Sequence, residues 1–399
     1  MADYDVVVVG LGAVGAAAAY QLAKRGTRVL GIDRFSPPHA MGSSHGDTRI
    51  TRLAIGEGAH YTPLVLRANQ IWREIESQTG EDLLVVTGGL IVSSEKRRAT
   101  THVANFFENT IEAARRYDIT HEVLEAKEIR RRFPLFAVRD NELAYYEPGA
   151  GYLRPEACVA AQLRLAEDHG AKLHREERVI ALEAKGDGVL VRTDKGEYRA
   201  AQAIVAAGPW IHEFLPPGLA PHFTVTRQVL FWFEARPPVT RFTPPGFPVW
   251  IWELQDASHV IYGFPAVDGP HGGVKIATEQ YSETTSPHAV VREVGEDEIR
   301  RMHEELVAPC FPELGPRCVK ATACLYTATP DFHFAIGRHP AIPAALIASP
   351  CSGHGFKHSA AVGEALAQLV QEGASRLDLS AFGLGRFRKN LGASAVAPD

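Results

Sequence analysis

The chain has 399 residues, a formal net charge of −5 and 45% hydrophobic residues, with 35 Gly and 26 Pro. At roughly 100–200 residues per domain, that length suggests two domains and is ample to bury a large core. The composition excludes global disorder, and the acidity argues against a non-specific nucleic-acid binder. Five scattered cysteines form no disulfide framework and no Cys-x-x-Cys pair, which points to a reducing compartment.

Residues 6–23 form an uncharged run of 18 residues, the length of a short membrane span or a signal-peptide core. The preceding residues, Met-Ala-Asp-Tyr-Asp, are acidic, where an export signal needs positive charge. The run also changes character midway. Residues 6–9 are a β-branched stretch, 16–23 are helix formers, and Gly10, Gly12 and Gly15 lie between and at the join. A strand, a tight turn and a helix to about Arg25 explain both halves, with Gly26 as the C-cap. A second strand over 28–32 ends in Asp33. This is a dinucleotide fingerprint. Gly10 permits the turn, Gly12 lets the backbone approach a pyrophosphate, and Gly15 lets the helix pack on the strand. The helix N-terminus offers N–H groups to phosphate. Asp33 is placed to accept from ribose hydroxyls and disfavours a 2′-phosphate. The fingerprint alone does not separate NAD from FAD, but its position at the N-terminus before a long, discontinuous remainder is the habit of FAD proteins.

Residues 36–52 read as a polar loop beside the dinucleotide, holding His39, His45, Arg49 and Arg52. The spacing predicts an amphipathic helix over 64–76, strand character around Gly88-Gly89, and exposed helices over 108–116 and 126–132. The run 128–132 is a solvated helix face. Turn residues at 149–155 mark a transition. A helix over 155–169 and strands over 172–173, 179–184, 189–193 and 198–200 follow, with a hairpin at Lys185-Gly-Asp-Gly188 and a separate short strand at 203–208. Residues 223–254 contain aromatic-rich strands broken by Pro-rich turns. Residues 296–307 read as a helix and 344–348 as a buried strand. The last residues, after about Leu391, are expected to fray. Gly353 and Gly355 open a second glycine loop, at the start of a helix over 359–371, where backbone N–H groups favour an anion. The pairs His354/His358 and His333/His339 supply too few ligands for a metal, so no metal site is expected.

Five motifs together resemble one family: GLGAVG (10–15), SSHGDTRITR (43–52), YGFP (262–265), CLYTATPD (324–331) and SGHGFK (352–357). Over residues 4–380 the chain is similar to the monomeric sarcosine oxidases and N-methyl-L-tryptophan oxidases, within the FAD amine oxidoreductases that include D-amino-acid oxidase. The resemblance implies a mixed α/β fold. A Rossmann-like FAD-binding domain of the glutathione-reductase type is expected from 1–93, 150–220 and 320–399. An interleaved antiparallel-sheet substrate domain is expected from 94–149 and 221–319.

The resemblance also implies an oxidase of N-methyl or cyclic secondary amino acids. The C–N bond is oxidised to an imine that hydrolyses, and O2 is reduced to H2O2. FAD is expected to be joined through its 8α-methyl to the Cys324 thiolate; the alternative for this cysteine is a small apolar core residue. Further cofactor contacts fall at Gly10, Gly12, Gly15, Asp33, Ser44, Val179, Gly353, Gly355 and Lys357. Arg52 and Lys357 match the carboxylate clamp, against the alternative of surface ion pairs. Lys275 matches the oxygen-activating lysine, against that of an exposed strand lysine. His45 and Arg49 match positions that assist attachment and orient the flavin, and Tyr262 and Tyr326 match aromatics around the substrate. Sarcosine oxidases carry a histidine four residues past the lysine, where this chain has Glu279. A carboxylate there puts sarcosine itself in doubt and either repels a small amino acid or pairs with a cationic substrate tail. The expected partners are a small secondary amino acid and O2, with no nucleic acid and no membrane. A cytoplasmic monomer is the expectation, and the ending Val-Ala-Pro-Asp is no peroxisomal signal. Two alternatives stay open: a non-covalent FAD dehydrogenase with another electron acceptor, and a non-catalytic flavin or amino-acid binding protein.

Overall fold

The computed structural model describes residues 2–244 and 246–390; the tail expected to fray lies outside the described residues. The uncharged run resolves into strand Tyr4–Val9 and helix Ala13–Ala23. Among the described residues no helix is long and apolar enough to cross a membrane.

The chain divides into two compact units. The first comprises residues 1–44, 157–225 and 326–399; the second comprises 45–156 and 226–325. In the first unit, strand Tyr4–Val9 lies between Val29–Ile32 and Glu197–Val205, parallel to both. Lys172–His174 and Ile342–Ser349 extend the parallel set on either side. Such strands are buried on both faces and therefore read as continuous apolar runs, as Val6–Val9 does. The residues expected as two strands, 198–200 and 203–208, are one strand, Glu197–Val205. Its first half pairs antiparallel with Gly188–Thr193 and its second half pairs parallel with Ile342–Ser349. The break in pattern marks a change of neighbours, not an end. The hairpin expected at 185–188 is present, with Lys185 paired to Gly188 and Gly186 at φ +59°. Helix Ser359–Gln371 packs on helix Ala13–Ala23 so closely that a Cβ on Gly363 would fall 2.4 Å from the Ala17 Cβ.

The second unit is built on a nine-stranded sheet, in which Val274–Glu279 pairs antiparallel with Thr224–Ala235 and with Val260–Gly263, and Gly89–Ser93 runs parallel to Val249–Glu253. Alternation sorts its two faces. Val229, Phe231, Phe233, Val274 and Ile276 join Trp250, Trp252 and Phe311 in an aromatic core. Leu230, Trp232 and Ala277 face the other way and cluster with Cys324. Lys275 is paired with Trp232, and Tyr262 with Ala277, so both belong to this second face.

Three expectations need correction. Residues 45–93, 150–156 and 320–325 belong with the second unit and 221–225 with the first: Gly89–Ser93 pairs with Val249–Glu253 and Leu143–Glu147, while Arg49–Thr51 and Leu84–Val86 pair with Gly151–Leu153. Helix Phe106–Arg116 is not an exposed element: Phe106, Phe107, Thr110, Ala113 and Ala114 are buried. The helix at 296–307 is α-helical only over Glu296–Arg301, and Met302–Val307 widens into a π-helical turn.

Candidate active site

In the first unit, the glycine turn is fixed by close backbone approach. Gly10 has φ +86°, and a Cβ there would lie 2.5 Å from the Ala206 carbonyl oxygen. A Cβ on Gly15 would lie 1.7 Å from the Gly10 carbonyl oxygen. Gly12 differs: a Cβ would meet only the Ser44 hydroxyl, at 3.5 Å. Ser44 Oγ accepts from the Ala13 N–H at 3.2 Å, and Gly12 caps the helix without a side-chain hydrogen bond. The remaining first-turn N–H groups have no carbonyl one turn earlier to bind. Asp33 is pinned at the tip of its strand by the Leu11 N–H at 2.7 Å and the Phe35 N–H at 2.8 Å. The carboxylate thus ties the glycine turn to the second strand. Val179 is buried in the core with Val7, Val9 and Leu30, so its main chain is what a cofactor would touch.

The second glycine loop precedes helix Ser359–Gln371. Ser352 and Gly353 both take positive φ, and a Cβ on Gly355 would lie 1.7 Å from the Pro350 carbonyl oxygen. Lys357 is buried and donates to the His354 carbonyl at 2.8 Å.

The second unit gathers His45, Arg49, Lys275 and Cys324. Arg49 Nη2 lies 3.6 Å from Cys324 Sγ. Burial alone pushes the Cys324 thiol up, but hydrogen bonding and charge from His45, with the charge of Arg49, bring it down to about 7. The site thus favours the thiolate, the nucleophilic form of a cysteine. The other buried cysteine with a resolved shift, Cys310, is pushed up to about 12 by burial, as an inert core thiol should be.

Lys275 is 2% exposed and is no surface lysine. Its Nζ donates to the carbonyls of Gly46 at 2.7 Å and Thr48 at 2.8 Å, and to Thr48 Oγ1 at 3.2 Å. It also lies over the Phe264 ring, 4.4 Å from the centroid, and 5.5 Å from that of Trp232. Burial, then the charge of Arg49, pulls its pKa well below 10.5. The turn that receives Lys275 is held in turn by a carboxylate: Glu156 accepts from the Gly46 N–H at 2.6 Å and the Asp47 N–H at 3.2 Å. Gly46 and Asp47 both have positive φ, which suits a glycine followed by an aspartate. Asp47 pairs with Lys320 at 2.6 Å, and Lys320 lies over Trp232.

Arg52 is neither a surface ion pair nor an open fork. Its guanidinium is buried, paired to Glu57 at 2.5 Å, bonded to the Ala54 carbonyl and stacked over Phe106. Glu147 accepts from the Leu53 and Ala54 N–H groups at 2.6 and 3.1 Å and from the Tyr145 hydroxyl at 2.8 Å. Burial pushes the Glu147 pKa up. Tyr262 stands half-buried on the Cys324 face, and Tyr326 lies two residues beyond Cys324 on strand Leu314–Ala328.

The chain matches the family described as FAD dependent oxidoreductase over residues 5–369. It is 42% identical to a monomeric sarcosine oxidase of Streptomyces avermitilis, covering 95% of this chain and 96% of the relative. It is 36% identical to an N-methyl-L-tryptophan oxidase of Yersinia pestis, covering 97% and 100%. The chain belongs to this family of FAD-dependent oxidoreductases. A solved structure of NikD, an unusual amino acid oxidase essential for nikkomycin biosynthesis, superposes with a TM-score of 0.81 at 26% identity, covering 95% and 97%. The protein is thus a flavoenzyme of the D-amino-acid-oxidase fold type, acting on amino compounds.

The residues present fit FAD. The open approach at Gly12, between two glycines that cannot carry a Cβ, is the cradle a pyrophosphate needs. A cysteine already drawn toward its thiolate is the donor a thioether needs. Sequence reading singled out the glycines, Asp33, His45, Arg49, Lys275 and Cys324. It missed Glu156, Glu147, Glu57, Thr48 and His102, all of which act by holding another residue. Only Glu57, five residues after Arg52, left a local signal, as an acid in a segment otherwise free of negative charge from Thr48 to Gly80 apart from Glu74 and Glu76.

Proposed function

We propose that this enzyme oxidises the C–N bond of an N-methyl or cyclic secondary amino acid to an imine that hydrolyses, with O2 as the electron acceptor and H2O2 as the second product. The observation that carries this reading is the grouping of a cysteine of pKa about 7 with Arg49 and His45 in the unit that also buries Lys275. The names of the relatives support the substrate class. FAD, when bound, supplies the two-electron chemistry. Gly10, Gly12, Gly15, Asp33, Ser44 and the Val179 main chain would hold its dinucleotide portion, and the Gly353–Gly355 loop its anionic pyrimidine end. Cys324, as thiolate, would attach the 8α carbon.

Each of the chain's own groups has a defined task. His45 and Arg49 favour the thiolate, and the Arg49 guanidinium places positive charge beside it. Lys275 holds an ammonium in a dry site, where positive charge favours electron transfer to O2. Arg52 and Lys357 would take the substrate carboxylate, Arg52 by exchanging Glu57 for it. Tyr262 and Tyr326 would line the substrate. The same reading takes the chain to act as a cytoplasmic monomer on small molecules.

The test is anaerobic bleaching of the flavin by a panel of N-methylated, cyclic and primary amino acids, followed by peroxide detection on admitting air. Secondary amino acids should bleach it fastest, and the yellow colour should stay with acid-precipitated protein. Bleaching by primary amino acids alone, or no peroxide, overturns the reading.

A further inference from the structure

Glu279 stands on strand Val274–Glu279 four residues after Lys275. By alternation Lys275, Ala277 and Glu279 share one face, the face that carries Cys324 and Tyr262. Two donors converge on a single oxygen of its carboxylate. His102 Nδ1 lies 2.7 Å from Oε1 and the Tyr281 hydroxyl donates to the same Oε1 at 3.0 Å. The two holders also brace each other: the Tyr281 hydroxyl is 3.2 Å from His102 Nδ1, and their rings meet edge-to-face with centroids 5.5 Å apart. The second oxygen, Oε2, accepts no hydrogen bond from the described residues. The Glu279 side chain keeps 16% exposure, whereas that of His102 keeps 2%. The carboxylate is therefore clamped through one oxygen and offered through the other.

A carboxylate accepts and never donates. A group that satisfies Oε2 must bring its own N–H or O–H. A site arranged around a fixed acceptor discriminates against ligands that lack the donor, because they leave the acceptor unpaired after removing its water. A purely structural role, tying residues 102, 279 and 281 together, would use Oε1 and gives no reason for leaving the second oxygen unpaired.

We propose that Glu279, positioned by His102 and Tyr281, is a specificity-determining residue that reads a hydrogen-bond donor on the substrate, a hydroxyl or ammonium on its N-substituent or side chain, in addition to the reacting amine and the carboxylate. This rests on the secondary-amino-acid reading above and deepens it: the preferred substrate is a donor-bearing secondary amino acid, and sarcosine, which has no such group, is a poor one.

The test compares N-propylglycine with its near-isosteres N-(2-hydroxyethyl)glycine and N-(2-aminoethyl)glycine on the holoenzyme. The wild type should favour at least one donor-bearing compound by about tenfold or more in kcat/KM. Which of the two leads tells hydroxyl from ammonium. Glu279→Gln should shrink that ratio severalfold, most of all for the ammonium. Tyr281→Phe removes one of the two donors to Oε1 and should move the ratio the same way, which keeps the test open if Glu279→Gln does not accumulate. Binding gives a second readout: dissociation constants of the unreactive ethers propoxyacetate, (2-hydroxyethoxy)acetate and (2-aminoethoxy)acetate should show the same order by calorimetry and lose it in the variants. Equal kcat/KM for all three glycines, or a preference that survives both substitutions, overturns the proposal and leaves the secondary-amino-acid reading standing. Failure to oxidise any of the three, or any other secondary amino acid, defeats both.

Discussion

In the first unit, three glycines within six residues set a backbone path, and main-chain N–H and C=O groups do the work. Side chains are nearly absent from the turn: Ser44 and Asp33 only hold it. In the second unit, His45, Arg49, Lys275 and Cys324 arrive from three separate stretches of the chain, and their side chains do the work. The two regions tolerate change differently. A backbone cradle fails when any atom is added at the wrong glycine. A side-chain cluster fails in parts, each part with its own signature.

The largest effect should come from the cradle. Gly15→Ala sets a Cβ 1.7 Å from a carbonyl oxygen that cannot move without breaking the turn, and soluble protein carrying FAD should fall below about a tenth of the wild-type amount. Gly12→Ala meets only a hydroxyl at 3.5 Å. It should fold normally yet bind FAD more weakly, as read by the flavin-to-protein absorbance ratio. If both variants fold and bind alike, the turn is not set by backbone approach.

The next effect separates the thiol from its neighbours. Cys324→Ser should leave no flavin with acid-precipitated protein, whereas any that remains places the attachment elsewhere. In the wild type, covalent incorporation of added FAD should rise with pH through a midpoint near 7, because the thiol's pKa is lowered to about 7 from 9.0. His45→Asn should move that midpoint upward.

Lys275→Met should then slow reoxidation by O2 by about 10²–10³, the scale of losing one preorganised charge, while anaerobic reduction changes far less. Equal loss in both half-reactions sinks its assignment to oxygen. Because burial pulls the Lys275 pKa well below 10.5, the sign of the pH effect is fixed. The ammonium is present at low pH and lost as pH rises, so wild-type reoxidation should decline with rising pH well before 10.5.

The smallest effect concerns Arg52. An incoming carboxylate competes with Glu57 for the guanidinium, so Glu57→Gln should lower KM by about threefold to tenfold, within the range of a charge-assisted hydrogen bond, with little change in kcat. A raised KM instead would mean that Glu57 orients Arg52 more than it occupies it.

Legibility followed the same division. The cradle was readable because each glycine's duty is local: a turn, an approach and a packing contact, all within one βαβ unit. The assignment of residues 45–93 was not, because their strands pair with partners as distant as 249–253 and no local pattern names a partner. Arg52 matches a carboxylate clamp by resemblance, with a surface ion pair as the alternative, and folding gave it Glu57 and Phe106. Lys275 was marked only by the family resemblance, and folding buried it among carbonyls contributed by a turn more than two hundred residues earlier.

The uncharged run at residues 6–23, by itself, pointed to a strand, a tight turn and a helix and not a membrane span, since its glycines permit a positive φ and a close backbone approach that other residues resist. The strand–turn–helix fingerprint suggested the α/β class, and the five motifs implied the flavin through their family resemblance. Only the tertiary structure decided the charge state of Cys324, the burial of Lys275 and the clamp on Glu279. Each depends on which groups remain near it once water is removed, and electrostatics in a dry interior is set by neighbours in space, not in sequence.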